Sequence, residues 1–314
     1  MIARVRRAGL LTTVQDTGRW GYQSRGVSVA GPMDLYSHRL ANAIVGNDAG
    51  AAALEVTLTG PHLEFVDERV VVVAGATFED IPAAAPIRVS PAHPLVFGAR
   101  IRGARAYVAI SGGIDVPVVL GSRATHLPSS MGGLDGRALK SGDELSLGPA
   151  GPESTRRSPP EGGHSQRSAQ MHLGAGPSSS VTLRIVPGPQ AERFAPDALD
   201  VLTSTPYRIE SNSNRVGYRL AGPRVRHVTS ADIISEATPI GSLQVPASGE
   251  PILLMADRQT TGGYAKIATV ISADLARAGQ LAPGDAVRFA VCSFEEALDA
   301  LRTQERAIVE AARR

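Results

Sequence analysis

Pro251-Ile252-Leu253-Leu254-Met255-Ala256, then Asp257-Arg258-Gln259-Thr260-Thr261-Gly262-Gly263-Tyr264-Ala265-Lys266, then Ile267-Ala268-Thr269-Val270-Ile271: two apolar runs of strand length enclose ten residues. Those ten carry a carboxylate, a guanidinium, an amide, two hydroxyls, a phenol and an ammonium around a Gly-Gly pair. Two buried strands joined by a polar, glycine-hinged connection is how a β scaffold presents a polar site. Lys266 sharpens the reading, because only Lys140 and Lys266 among the 32 basic residues are lysines. A lysine at the densest polar cluster of an arginine-rich chain points to a compact, titratable ammonium in place of a planar fork.

The same β character recurs along the chain. Leu54-Glu55-Val56-Thr57-Leu58, Arg69 to Ala74, Ala106 to Ile110, Glu144 to Leu147, Val181 to Val186 and Val287 to Val291 alternate or run apolar. Turn-forming residues separate them (33 Gly and 22 Pro), which predicts sheets closed into barrels or sandwiches. On the polar face of its strand, Glu55 is expected to meet solvent. Two helices stand out. One follows Gly31, with Pro32 at its first position, an apolar stripe at Leu35, Leu40, Ala41, Ile44 and Val45, and Gly46-Asn47 as its stop. The other is C-terminal, opened by a Ser293/Glu296 capping box before Ala297, Leu298, Leu301 and Ile308.

The 314 residues suffice for about two domains. Residues 151–180, dominated by Pro, Gly, Ser and Arg, read as a flexible linker or loop between 1–150 and 181–314. A faint repeat agrees: Leu139-Lys140-Ser141-Gly142-Asp143-Glu144-Leu145 resembles Leu281-Ala282-Pro283-Gly284-Asp285-Ala286-Val287, each feeding the last strand of a unit.

Several function classes are disfavoured. The formal charge of +2, with no basic cluster interleaved with aromatics, argues against nucleic acid. No apolar run approaches 20 residues and no leader pattern opens the chain, so neither a membrane span nor export is expected. The single Cys292 forms no intrachain disulfide, fits a cytoplasmic setting, and reads as a packed thiol. The seven histidines show no metal-ligand spacing, so no metal is expected in this chain. Phosphate-loop, Gly-x-Gly-x-x-Gly, Gly-x-Ser-x-Gly and biotin-carrier Met-Lys patterns are absent.

Four further polar groups are candidates. Gln15-Asp16-Thr17-Gly18-Arg19-Trp20-Gly21-Tyr22 offers an Asp16–Arg19 pair and a packed indole, or a site role for both charges. Asp34, in Gly31-Pro32-Met33-Asp34, complements a helix dipole. Asn214 and Arg215 lie in Ser211-Asn212-Ser213-Asn214-Arg215-Val216-Gly217-Tyr218-Arg219, on a loop entering a strand. Gln244, in Gly241-Ser242-Leu243-Gln244-Val245-Pro246, lies close in sequence to the 257–266 run.

Together, Thr13 to Arg19, Gly31 to Asp34, Asn214 to Leu220, Ser242 to Pro246 and Asp257 to Lys266 make the chain resemble the biotin-dependent carboxyltransferase, or allophanate hydrolase subunit 2, family. That family includes one of the subunits of the bacterial 5-oxoprolinase, the carboxyltransferase part of urea amidolyase, and antagonists of a sporulation-kinase inhibitor. The resemblance covers nearly the whole chain except 151–180. At 214 and 216 an acidic residue and a methionine would be expected, where Asn214 and Val216 stand. It implies a mainly β fold of two cyclophilin-like β-barrel domains with a few short helices and a C-terminal helix. It also implies a small cyclophilin-like partner subunit of the allophanate hydrolase subunit 1 type, with a lactam-utilisation subunit as a further partner.

Two chemistries follow from the resemblance: ATP-dependent opening of the 5-oxoproline lactam to glutamate, and carboxyl transfer from carboxybiotin to urea or a similar amide. Each develops negative charge on a carbonyl-type oxygen, which preorganised donors stabilise. Arg258, Gln259, Tyr264 and Lys266 are the expected catalytic groups. Thr260, Thr261, Gly262, Gly263, Gln244, Asn214 and Arg215 are expected to bind substrate, with Asp16, Arg19, Asp34 and Asp257 as secondary candidates. A chain without a biotin-carrier motif or an ATP-grasp region favours the 5-oxoprolinase reading, with ATP bound somewhere on the complex. A non-catalytic regulator binding a kinase-inhibitor-like partner is the reading from another class.

Overall fold

The computed structural model describes residues 1–150 and 180–313, so the expected linker falls outside the described residues except at its last position. The described chain forms two units. The first takes Met1–Trp20, the described residues from Ala30 to 150, and the last turns from Gln304; the second takes Gly21–Val29 and the residues from 180 to Thr303.

In the first unit the predicted alternation becomes two sheets. Its strands are β1 (Ile2–Arg7), β2 (Leu11–Gln15), β3 (Ala53–Thr57), β4 (His62–Phe65), β5 (Arg69–Phe78), β6 (Pro86–Val89), β7 (Leu95–Val96), β8 (Arg100–Ile110) and β9 (Glu144–Ser146). One sheet runs β7-β4-β1-β9 and the other β2-β3-β8-β5-β6. Every second residue of each sheet enters a shared core: Ala3, Val5, Leu63, Phe65 and Leu145 from one, Leu54, Val56, Val71, Val73 and Val108 from the other.

Helix α1 (Leu35–Val45) packs against β3, β5 and β8. Glu55 therefore does not meet solvent as expected. It is 1% exposed, accepting from the Tyr107 hydroxyl at 2.7 Å and the Met33 amide at 2.8 Å. A strand's polar face is wet only where no element covers it, and strand periodicity carries no information about a helix. Helix α1 also starts three residues later than expected. Asp34 is its N-cap, accepting from the Ser37 amide at 2.8 Å, so Pro32 stands ahead of the helix.

The second unit contains β10 (Val181–Pro187), β11 (Tyr207–Ile209), β12 (Gly217–Ala221), β13 (Asp232–Ala237), β14 (Ser242–Gln244), β15 (Ile252–Leu254), β16 (Thr261–Tyr264), β17 (Lys266–Val270) and β18 (Ala286–Val291). Seven of them close a barrel in the order β10-β17-β14-β15-β12-β11-β18, sealed by parallel pairing of β10 with β18. Closure removes the sheet edges. The remaining two, β13 and β16, form a separate antiparallel ribbon. Helices α2 (Ala198–Ser204), α3 (Leu275–Gly279) and α4 (Phe294–Ala312) complete the described chain. The predicted capping box opens α4: the Ser293 amide donates to Glu296 at 2.7 Å and the Glu296 amide to the Ser293 hydroxyl at 3.1 Å. No described helix is long and apolar enough to cross a membrane.

The sequence repeat is a repeated turn. The Lys140 and Ala282 amides donate to Asp143 and Asp285 Oδ2, each at 2.8 Å. Gly142 and Gly284 take φ of +91° and +93°, a conformation that favours glycine. Each glycine amide donates at 2.8 Å to a neighbouring strand, at Val5 in one case and Ile209 in the other, and that strand residue donates back to the aspartate carbonyl.

Candidate functional site

The polar run from Asp257 to Lys266 is not a hairpin loop. Strands β15 and β17 do not pair with each other; each pairs with β14, which lies between them. Their connection is long enough to contain a strand of its own, β16, which pairs with β13 to make the ribbon. Gly262 and Gly263 are thus extended residues of β16, not a hinge. Glycine is still needed at 262, because a Cβ there would stand 2.6 Å from Gln244 Nε2 and 3.0 Å from Thr238 Cγ2.

Two adjacent charges at the start of the run have different fates. Asp257 takes both bonds of a fork from Arg215, Nε at 2.9 Å and Nη2 at 3.0 Å, with both side chains buried. This pair ties the loop before β12 to the end of β15. It consumes two residues expected to bind or support substrate. Arg258 has no such carboxylate. Its Nε donates to the Thr238 carbonyl at 2.6 Å and its Nη1 to the Met255 carbonyl at 3.4 Å. The Nη2 group has no hydrogen-bond partner among the described residues and is the part of this largely buried side chain that still reaches solvent. Burial alone pushes its pKa down to about 10, so it stays cationic at neutral pH without an anion to offset it.

Amides and hydroxyls gather around this cation's carbonyl partners. The Thr238 hydroxyl donates to the Gln259 carbonyl and the Thr238 amide to the Thr260 carbonyl. Gln259 Nε2 donates to Gln244 Oε1 at 3.3 Å, and Gln244 Nε2 to the Tyr264 carbonyl at 3.4 Å. Gln244, Gln259, Thr260 and Gly262 thus gather around Thr238, whereas Gly263 lies beside Ile233 and Ser235. Thr238, adjoining β13, was missed. Its only sequence signal is a lone hydroxyl next to Pro239, and its relevance depends on a partner 20 residues away.

Lys266 is engaged elsewhere. It is buried on β17, and its ammonium binds Glu236 of β13, whose carboxyl it holds below the usual range. Gln190 donates to the same carboxylate at 2.6 Å and accepts from the Lys266 amide at 3.1 Å. The lysine fastens the ribbon to the barrel wall. Tyr264, at the end of β16, is 40% exposed.

The remaining candidates have structural partners. Asn214 caps its own turn, Oδ1 accepting from the Val216 amide at 2.8 Å. The expected Asp16–Arg19 pair is absent. Asp16 accepts from the Gly18 amide, the Ser122 hydroxyl and the Arg123 amide, while Arg19 donates to the Val119 and Ala124 carbonyls. Both charges brace the 119–124 segment, about a hundred residues downstream. The Trp20 indole, expected to pack, is 60% exposed, its N–H donating to the Thr17 carbonyl at 2.9 Å. Asp34 stays at the head of α1.

With this geometry in view, the family model described as "Carboxyltransferase domain, subdomain A and B" matches residues 25–291. The chain belongs to the carboxyltransferase domain family. It is 38% identical to a 5-oxoprolinase subunit of Escherichia coli over 96% of this chain and 95% of that one. It is 36% identical to urea amidolyase of Lachancea kluyveri over 96% of this chain, and there spans only 17% of the relative's length. Among solved structures, the K. lactis urea amidolyase superposes with a TM-score of 0.86 at 34% identity, covering 99% of this chain and 20% of that one.

Proposed function

We propose that this chain is a subunit of an ATP-dependent, 5-oxoprolinase-type amidohydrolase that opens a small lactam, 5-oxoproline, to glutamate. It acts in a cytoplasmic complex with a small cyclophilin-like subunit and a lactam-utilisation subunit. The observation carrying this reading is Arg258, a largely buried cation with one amino group unspent and its neighbouring carboxylate already committed to Arg215. Uncompensated buried charge is costly, several kcal/mol in typical cases, and a chain retains it where an anion or developing oxyanion is to be met. A lactam carbonyl oxygen gains negative charge as water adds to its carbon, and Arg258 Nη2 is the donor for that oxygen. Gln259 follows Arg258 in the chain, and its amide, bonded to that of Gln244, would orient the ring N–H. ATP enters as a co-substrate of the complex. The match along 95% of the E. coli subunit supports the same reading.

Carboxyl transfer from carboxybiotin to an amide is the second reading, favoured by the family model and the urea amidolyase superposition. There Arg258 would stabilise the ureido oxygen instead. The test is ATP consumption by the co-purified complex. Turnover should require 5-oxoproline and should fall at least about a hundredfold in Arg258→Met, the loss typical of an oxyanion donor. A complex inert to 5-oxoproline that carboxylates urea from carboxybiotin would transfer the assignment to the second reading. Inertness toward both would favour a regulator.

A further inference from the structure

On the outer wall of the barrel, β11, β12 and β15 bring Glu210, Arg219 and Ile252 side by side. Arg219 of β12 is in register with Ile252 of β15, and the Glu210 amide, just past β11, donates to the Arg219 carbonyl at 3.0 Å. Tyr218 and Leu220, the neighbours of Arg219, are buried inside the barrel, so Arg219 points outward. With Glu250, Pro246 and Tyr264 these residues line a cavity of about 180 Å³. That is smaller than the roughly 300–1,000 Å³ of drug-sized sites, and suits a small metabolite.

The charges in this cavity are of both signs and unspent. The Arg219 guanidinium and the Glu210 carboxylate lie on neighbouring stretches of wall without an ion pair, and neither side chain has a hydrogen-bond partner among the described residues. Glu250 has only a loose 3.8 Å approach to the exposed Arg224. With Arg224 counted at the edge, two arginines and two glutamates balance, so neither a bare anion nor a bare cation is favoured. An apolar wall of Pro246, Ile252 and the Tyr264 ring runs between the charged groups.

We propose that this cavity binds a free α-amino acid as its zwitterion. The Arg219 fork would receive the α-carboxylate, Glu210 and Glu250 the ammonium, the apolar wall the methylene chain, and Arg224 at the edge the side-chain carboxylate of an acidic amino acid. L-glutamate is taken as the ligand because it is the product of the reaction proposed above; that choice, and not the zwitterion chemistry, rests on the 5-oxoprolinase reading. Tyr264 belongs both to this wall and to the strand that carries Gly262 and Gly263.

Calorimetric titration of the full chain with L-glutamate should saturate by about a millimolar, the upper end of ordinary metabolite affinities. Arg219→Met and Glu210→Gln should each weaken binding by about ten- to a hundredfold, the effect of one charge-assisted hydrogen bond. Both side chains lack partners, so both variants are expected to fold, which their melting curves will check. Glutarate, which lacks the ammonium, should bind at least tenfold more weakly. No saturable binding, equal binding of glutarate, or unchanged affinity in Arg219→Met would each overturn the proposal. Turnover of 5-oxoproline by the complex is scored separately: turnover without glutamate binding removes this cavity alone, and binding without turnover removes the lactam reading alone.

Discussion

Arg215 and Arg258 show how little a residue's type says about its task. Both are buried guanidiniums beside the same strand end, yet one is neutralised by Asp257 and the other meets only carbonyls. Removing a partner from the buried pair leaves a stranded charge, so Asp257→Asn should cost about 3–5 kcal/mol. Chemical denaturation checks this, and a cost below about 1 kcal/mol would mean that solvent reaches the pair. The sequence made the cluster visible as a dense polar run with a rare lysine, but not the division of labour within it. Asp257 satisfies Arg215 across 42 residues, and Asp16 reaches Ser122 across 106. Local spacing suggested Asp16–Arg19 because a short loop is the only geometry that a local reading contains.

At the level of elements, signals confined to a few neighbouring residues were legible. The Ser293/Glu296 box and the two Gly-Asp turns need only three or four consecutive residues, and each forms as written. Pairing was not legible. Period-two patterns show which residues of β15 and β17 turn inward, but not that β14 separates them or that the polar connection becomes a strand. Gly262 joins the two levels, since it is a strand residue whose missing Cβ lets Gln244 lie against β16. In Gly262→Ala the obstructing atoms are ends of side chains, so the fold should survive at a cost of about 1–3 kcal/mol. The Gln244 amide must then move, and turnover of the complex should drop by at least an order of magnitude. Full activity in a correctly folded Gly262→Ala protein would place the reacting group away from Gln244.

For the whole molecule, the chain does not divide once along its length. Gly21–Val29 groups with the second unit and the turns from Gln304 with the first. Composition and strand count made a two-part β protein legible, whereas interleaving depends on contacts that no local pattern encodes. The repeated turn allows the units to be told apart by acid. In the first, Arg137 donates to both oxygens of Asp143, at 2.7 and 2.9 Å, and this bonding above all holds the carboxyl below its usual range. In the second, Asp285 keeps the amide bond from Ala282 but has no arginine partner among the described residues. A carboxyl depressed in the native state contributes stability above its unfolded pKa of about 3.9, and the contribution is lost as pH falls through the lower native value. Asp143→Asn should therefore melt lower at neutral pH by about 1–3 kcal/mol, equivalent to about 2–4 °C per kcal/mol for a unit of this size. The deficit should shrink below about pH 4, because acid removes from the wild type what the variant already lacks. Melting curves at pH 7, 5 and 3 decide the matter. A deficit that is the same at all three would show that the charge of Asp143 is not what stabilises the turn.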